Sequence, residues 1–457
     1  MIIPILLSVY FKLHIFQLCG YKYHEFFLYE LRHWLNGLFR IGLLILYLLG
    51  VPLLVLVIPA ALVTIYPRYI HKKMVCTKRM IRLIVMNIIV VVILLHFDKL
   101  SLFLFPEIVL FMASILIYPL EMAINRHYLH LARKKRFNGI TIGITGSYGK
   151  TSTKMFIKKV LEMEYNVLVT PSSFNTPLGI SKVINNDLND MYDFFIVEMG
   201  ASHVGDIDEL MGIITPDYSV ITSIGNQHLQ TFKSIENIYE EKTKILNNKT
   251  YINFVNSEID IAKRYYSFGD NGDCYAENIF EDQNGLSFDI LCKDKRYHIK
   301  TRIHGYHNVS NLLCSFMIGR FFGVNEAKIC YALENMDPID NRLRIIDKKD
   351  EIIIDDSFNS NIKGALNAID TLLSMPGKKV IITPGFVELG KDNEYGMNLL
   401  AEKCNLCDVK IIVKNKRLYQ KIPNSIFVKN FRQAMKEYKR IEGKKALLLE
   451  NDWPDNY

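Results

Sequence analysis

Ten consecutive residues, Gly143-Ile144-Thr145-Gly146-Ser147-Tyr148-Gly149-Lys150-Thr151-Ser152, combine the residue types that a phosphate group needs. Glycines let backbone N–H groups approach phosphate oxygens, Lys150 brings a positive charge, and Thr151 offers a hydroxyl to Mg2+. The stretch follows an alternating apolar run (Ile140, Ile142, Ile144) and precedes a helical pattern carrying Met155, Phe156, Val160 and Leu161. The loop should therefore join a strand to a helix whose N-terminal dipole end favours an anion. The strict G-x-x-x-x-G-K-[ST] spacing fails at its first glycine, where Ile144 stands. The T-G-S-Y-G-K-T form still keeps Gly146, Ser147, Gly149, Lys150, Thr151 and Ser152 together, and nucleotide binding is the reading.

Two further stretches place a chemically useful side chain at the end of a strand pattern. Asp193 to Val197 is a buried-strand run that ends in Glu198, and the run from Tyr218 leads through Asn226-Gln227 to His228. Strand ends beside a phosphate loop face the bound ligand, and a carboxylate there can hold the cation that bridges phosphates. His228 alone would be an ordinary histidine; its place in this series makes it a candidate metal ligand.

The order of these motifs resembles the Mur ligases. The loop is followed by Ser173-Phe174-Asn175-Thr176-Pro177-Leu178-Gly179, Val197-Glu198-Met199-Gly200-Ala201, Asn226-Gln227-His228-Leu229 and Glu241-Lys242-Thr243-Lys244-Ile245-Leu246. Gly305-Tyr306-His307-Asn308-Val309-Ser310-Asn311, Asn341-Arg342-Leu343 and Asp355-Asp356-Ser357-Phe358-Asn359-Ser360-Asn361 continue the likeness, which covers roughly residues 138 to 390. The last of these runs and Val387-Glu388-Leu389-Gly390 are most similar to the branch that adds D-alanyl-D-alanine to a UDP-linked muramoyl tripeptide.

The resemblance implies ATP and Mg2+ as cofactors. Lys150 and Thr151 would hold phosphates and metal, Asn175 and Glu198 would line that site, and His228 would help bind a second Mg2+. Lys242 would be carbamylated, which turns an ammonium into an oxygen ligand, so that Thr151, Glu198, His228 and Lys242 form the metal set. His307, Asn308 and Asn311 would surround the adenine, and Arg342 and Asp356 would reach phosphates and ribose from the last domain. The implied chemistry is transfer of the γ-phosphoryl group to a carboxylate, giving an acyl phosphate that an amine attacks to form an amide. The last domain should close over the nucleotide, with a hinge near residues 336 to 340. Ile362 stands where a proline is usual in the family, and the ending Glu450 to Tyr457 differs from the usual one.

The elements that must position these residues follow from composition and patterning. The length of 457 residues suggests about three folded units, and half of the residues are hydrophobic, enough for substantial cores. The net charge of +8 is uneven: Arg68, Lys72, Lys73, Lys78, Arg79 and Arg82, then Arg126, Arg133, Lys134, Lys135 and Arg136, flank apolar runs, which is a membrane pattern and excludes a nucleic-acid partner. Residues 41 to 67, 80 to 97 and 101 to 121 are expected to span a membrane, with the first twenty residues as a fourth span or an interfacial segment. Glu107 should sit at the interface or face the bundle. The expected localisation is a multi-pass inner-membrane protein, with the lipid bilayer as a partner and the catalytic part on the cytoplasmic side. The spans would replace the family's UDP-binding domain and hold the site near a lipid-linked precursor.

The eight cysteines are scattered, and Cys404 and Cys407 alone have two-residue spacing; reduced thiols are expected. After residue 137 short apolar runs alternate with helical stretches, as in parallel α/β units. Strands are expected at Thr141 to Thr145, Phe194 to Met199, Tyr218 to Ser223 and Tyr251 to Val255, antiparallel strands within 268 to 304, and further strands at Glu351 to Asp355, Lys379 to Thr383, Lys410 to Val413 and Ala446 to Leu449. The expected fold is thus α/β: transmembrane helices over 1–136, a P-loop central Mur ligase domain over 137–336 and a C-terminal Rossmann-like domain over 337–457.

The function implied is a membrane-anchored ligase of cell-wall peptide synthesis, acting on a peptide precursor with an amino acid or dipeptide as the incoming amine. A polyglutamate-type synthetase and a membrane scaffold that hydrolyses ATP without forming a bond are the competing readings.

Overall fold

A computed structural model describes residues 2–32, 34–65, 74–97, 105–171, 174–293, 295–340, 342–348, 351–357, 362–386 and 393–450. Residues 1–127 form one compact unit and residues 128–453 a second.

The first unit is helical: α1 (Ile2–Leu18), α2 (Tyr23–Arg32), α3 (Trp34–Leu48), α4 (Leu53–Ile65), α5 (Lys78–His96) and α6 (Pro106–Lys134). Leu13, Phe16, Leu43, Leu56, Leu83, Val90, Leu110 and Ile117 pack in its core. Buried charge in this unit is paired. Lys12 Nζ lies 2.6 Å from Glu30, Arg40 bonds Glu107, and Arg82 makes two bonds to Glu121, at 2.5 and 2.9 Å. Glu107 therefore faces the bundle.

The multi-pass membrane expectation is overturned. The apolar stretch over 41 to 67 breaks at Gly50-Val51-Pro52 into helices of 15 and 13 residues, because Pro52 has no N–H with which to continue the ladder. No described helix therefore runs unbroken through this stretch, as a crossing of the ~30 Å hydrocarbon core requires. The helix over 78–96 begins with Lys78, Arg79 and Arg82, which shortens its apolar part. Among the described residues α6 alone is long and apolar enough to cross a membrane. Three or four transmembrane spans, a multi-pass inner-membrane localisation and a lipid-bilayer partner do not follow from this architecture.

The second unit carries two sheets. The first has the order β2-β3-β1-β4-β5-β6-β7-β8-β9, with β1 (Ile140–Thr145), β2 (Val167–Val169), β3 (Phe194–Glu198), β4 (Tyr218–Ile221), β5 (Ile252–Asn256) and β6 (Tyr266–Phe268) all parallel. β7 (Cys274–Asp282), β8 (Gly285–Cys292) and β9 (Lys295–Thr301) form an antiparallel meander at one end. In the parallel part the chain runs from β1 to β2 and β3 on one side and then to β4 on the other. The C-terminal end of β1 is thus a switch point, where a parallel sheet opens a crevice.

The helices of this half are α7 (Lys150–Leu161), α8 (Pro177–Asn186), α9 (Asp206–Met211), α10 (Leu229–Phe232), α11 (Ile235–Thr243), α12 (His307–Phe321) and α13 (Glu326–Glu334). One sheet face packs on α7, α12 and α13 through Phe156, Ile157, Val160, Phe194, Phe254, Leu312 and Phe316. Phe321 sets its ring edge against Phe254 at 5.3 Å and Tyr218 at 5.5 Å, an arrangement that suits the aromatic quadrupoles. The other face packs on α8, α9 and α11 through Ile180, Val183, Phe195, Val197, Ile207 and Ile238.

The second sheet has the order β10-β11-β15-β12-β13-β14. Its strands are β10 (Arg344–Lys348), antiparallel at the edge, then β11 (Glu351–Asp356), β12 (Lys378–Thr383), β13 (Val409–Val413), β14 (Ile426–Val428) and β15 (Lys445–Glu450), all parallel. α14 (Ile362–Ser374), α15 (Asn393–Cys404), α16 (Lys416–Lys421) and α17 (Phe431–Lys439) cover it. Every expected strand is present with ends moved by one or two residues, and the region 268 to 304 folds as the meander. Short β2, β6 and β14, and the edge strand β10, went unforeseen, because three residues show no alternation and Arg344-Ile345-Ile346-Asp347-Lys348 has none. Cys404 and Cys407 are buried beneath this sheet as free thiols, that of Cys407 pushed up to about 11 by burial.

Candidate active site

The glycine-rich loop joins β1 to α7 as its sequence requires, and it is strapped to the segment after β4. Ser147 N–H donates to Ser223 O at 2.8 Å, Tyr148 N–H to Ser223 Oγ at 2.9 Å, and the Thr222 hydroxyl to Tyr148 O at 2.5 Å. Ser147 Oγ donates to Gly225 O and accepts from Gly225 N–H, both at 3.0 Å. Two glycines are obligatory here. A Cβ on Gly146, whose φ is 150°, would fall 2.1 Å from Thr222 Oγ1, and one on Gly149, whose φ is 81°, would fall 2.6 Å from Asn311 Oδ1. Gly149 is the N-cap of α7, which leaves the first turn of that helix open toward a ligand.

A cavity of about 470 Å³ opens above the loop. Ser147, Gly149, Lys150, Thr151, Ser152, Asn175, Glu198, His228, His307, Asn311, Arg342 and Asp356 all line it. Gly146, Asn308 and Lys242, the other expected site residues, do not. A second cavity of about 430 Å³ shares Tyr148, Gly149, His307 and Asn311 with the first and extends to Asn256, Glu258, Asp270 and Ser310.

Lys150 Nζ donates to Gly146 O at 2.7 Å and Ser147 O at 3.1 Å. Burial lowers its pKa to about 8, against the pull of Glu198. Glu198, at the end of β3, accepts on Oε2 from Thr151 Oγ1 and Lys154 Nζ, both at 2.9 Å, and on Oε1 from Asn175 Nδ2 at 3.3 Å. Burial opposes its charge, but Lys154 and Lys150 outweigh burial and hold the carboxyl below the usual range.

His228 occupies the left-handed region at φ 59°, a strained setting for a residue with a side chain. Burial, then Lys150 and Lys242, lower its pKa to about 4, so it is a neutral imidazole. Lys242, in the last turn of α11, is 1% exposed and donates to Gly146 O at 3.1 Å, reaching the loop from beneath. Among the described residues no group of three or more His, Cys, Asp or Glu forms a metal cage. A cation here would share oxygens with a phosphate ligand and water, the usual habit of Mg2+.

The adenine trio separates in space. Asn308 is buried; its Nδ2 donates to His304 O at 2.8 Å, and its Oδ1 accepts from Asn311 Nδ2 at 3.0 Å. It therefore orients Asn311, which faces both cavities and accepts from Thr153 Oγ1 at 3.0 Å. His307 is held neutral by burial, with its pKa lowered to about 4, and its Nδ1 is buried without a protein partner. Gln227 Oε1, on the wall of the first cavity, is also buried without one. Such orphaned polar atoms suit a polar ligand, and their cost is removed when one binds.

Arg342 and Asp356 reach the cavity from the second sheet. Asp356 accepts from Leu343 N–H at 3.1 Å, and burial raises its pKa to about 7 against the pull of Arg342. The two halves are joined by Lys363 to Glu258 at 3.1 Å and by the Thr371 hydroxyl to Glu281 at 3.0 Å. Asn341, Phe358 to Asn361 and Val387 to Gly390 lie outside the described residues. Sequence reasoning missed Lys154, buried on Glu198, although its position one helical turn after Lys150 puts both on one face of α7.

Comparison with known proteins agrees with this geometry. The Mur ligase middle domain matches residues 144–319. The UDP-N-acetylmuramoyl-tripeptide–D-alanyl-D-alanine ligase of Bacillus subtilis is 30% identical over 54% of this chain and 56% of its own length, and that of Buchnera aphidicola 28% over 56% and 58%. The chain thus spans less than two thirds of the length of these curated relatives. Among solved structures, the MurF ligase of Thermotoga maritima in complex with ADP superposes with a TM-score of 0.66 at 24% identity, over 72% of this chain and 81% of that one. Residues 144–319 thus match the middle domain of the Mur ligases, and the chain is similar to these ligases over the stretch that carries the glycine-rich loop.

Proposed function

We propose that this chain is an ATP-dependent ligase of peptidoglycan precursor synthesis, joining an amine, best a D-alanyl-D-alanine dipeptide, to the terminal carboxylate of a UDP-linked muramoyl tripeptide. The observation that carries this reading is the convergence of the glycine-rich loop, Glu198, His228 and the second-sheet residues Arg342 and Asp356 on one cavity. The similarity to UDP-N-acetylmuramoyl-tripeptide–D-alanyl-D-alanine ligases supports the substrate pair.

The residues present fit ATP and Mg2+. Lys150 and the first turn of α7 supply the positive end for phosphates, ionised Glu198, Thr151 and neutral His228 offer cation ligands, and the second cavity, with His307 and Asn311 at its entrance, has room for a nucleoside. Bound there, ATP supplies a phosphoryl group to activate a carboxylate, and Mg2+ neutralises phosphate charge. Arg342 adds positive charge from the second sheet, and the ties Lys363–Glu258 and Thr371–Glu281 keep it facing the loop. The chain's task is to position and to exclude water.

The test is release of ADP and phosphate by purified full-length protein, dependent on both the UDP-linked tripeptide and D-alanyl-D-alanine, with a product whose mass gains one dipeptide less water. Acceptor-independent turnover favours a scaffold that only hydrolyses ATP, and a ladder of repeated additions favours a polyglutamate-type synthetase.

A pH dependence follows from Lys150. In the free protein its ammonium loses its proton near pH 8, whereas bound phosphate would favour the charged form and raise its pKa. Nucleotide binding therefore takes up a proton above that point. Affinity is full below pH 8 and falls by up to about tenfold per pH unit above it. Titration with a fluorescent nucleotide at pH 7, 8 and 9 should show this slope, and Lys150→Arg should flatten it.

A further inference from the structure

Lys154, the buried partner of Glu198, has no part in the chemistry described so far. Lys154 is 0% exposed, and its Nζ lies 2.9 Å from Oε2 of Glu198, itself 1% exposed. Glu198, Thr151 and Asn175 line the cavity; Lys154 does not, so its ammonium reaches the carboxylate from the rear. A buried ion pair contributes little stability over an apolar pair of the same shape. Packing alone gives no reason for a fully buried lysine one turn after Lys150.

Charge balance gives one. Without Lys154 the Glu198 carboxylate would keep the weaker pull of Lys150 and would attract a divalent cation whether or not a phosphate were present. Lys154 cancels that charge, so a cation gains net attraction only when a ligand brings more negative charge. We infer that Lys154 is a positioning residue that neutralises Glu198 from behind, making divalent-cation binding conditional on the phosphates of a bound nucleotide. This rests on the reading of the cavity as a nucleotide site.

The experiment titrates Mn2+ into full-length protein, with and without ADP, and follows the free ion by electron paramagnetic resonance. Wild type should bind Mn2+ weakly alone and tightly with ADP. Lys154→Met should bind Mn2+ alone about tenfold more tightly than wild type or better, and Mn2+ should raise its Tm. Lys154→Arg, which keeps the charge, should behave as wild type, and Lys154→Met combined with Glu198→Gln should lose the gain. Lys154→Gln serves if the methionine variant does not fold. Nucleotide-free Mn2+ affinity equal to wild type in a folded Lys154→Met or Lys154→Gln protein overturns the inference. Wild type that binds Mn2+ no better with ADP than without overturns the nucleotide reading itself, whatever the variants do.

Discussion

Lys150→Ala should lower acceptor-dependent phosphate release by about a thousandfold or more, equivalent to roughly 4 kcal/mol of transition-state stabilisation. The size follows from where the ammonium sits. It is half-buried at the first turn of α7, in a cavity where charge is poorly screened, and among the described residues its hydrogen bonds go to the carbonyls of Gly146 and Ser147. Those carbonyls hold it over the loop without neutralising it, so its charge remains available to an anion. Losing two such hydrogen bonds costs the fold little, and the Tm of the alanine variant should stay within a few degrees of wild type. A folded Lys150→Ala protein with unchanged turnover would remove the ligase reading, since no other cation on the cavity wall lies within the loop. Arg342 lines the same cavity but lies just before β10, outside the loop, and cannot take the place of Lys150 within it.

The residues of this centre differ in how openly the sequence declares them. Lys150, Thr151, Glu198 and His228 stand in the loop or just after strands, where an apolar run ending in a polar residue marks a side chain at a sheet edge. Position along the chain then gives position in space. Asn308 and Asn311 share one short motif yet lie at different depths, since residues three apart on a helix can stack and only the outer one meets the cavity. Lys154 escaped notice for a related reason: a lysine on an amphipathic helix is ordinarily solvated, and nothing local shows that Glu198, 44 residues later, will cover it.

The first unit shows the opposite failure. Its hydropathy is high on average, but an average is blind to Pro52, which cuts the apolar stretch at 41 to 67, and to Lys12, Arg40 and Glu107, which pair inside the bundle. Span length depends on unbroken helix, so the break at Pro52 decides against a single crossing segment there.

Lys242→Ala should lower activity by about a hundredfold or more, and a small added carboxylate such as formate should restore part of it. The argument begins with two amines on one oxygen: Lys150 Nζ and Lys242 Nζ both donate to Gly146 O, at 2.7 and 3.1 Å. Two ammonium ions so close repel each other, and burial, followed by Lys150, drives the Lys242 pKa well below its ordinary value. The lowered pKa eases loss of the proton, and the amine so freed is a nucleophile for carbon dioxide. Attack by its nitrogen on the carbon forms an N–C bond, leaves a carbamate anion and releases one proton. The product reverses the local electrostatics, because an anion beside Lys150 attracts where an ammonium repelled, and it adds oxygens beneath the loop for a cation or for Lys150 itself. Two variants separate this role from packing. Lys242→Met keeps the stem and should be as inactive as Lys242→Ala, whereas Lys242→Glu, which supplies a carboxylate on a shorter stem, should retain more activity than either. Full activity of Lys242→Ala without any added carboxylate would exclude the carbamate and leave Lys242 as a neutral amine that only steadies Gly146.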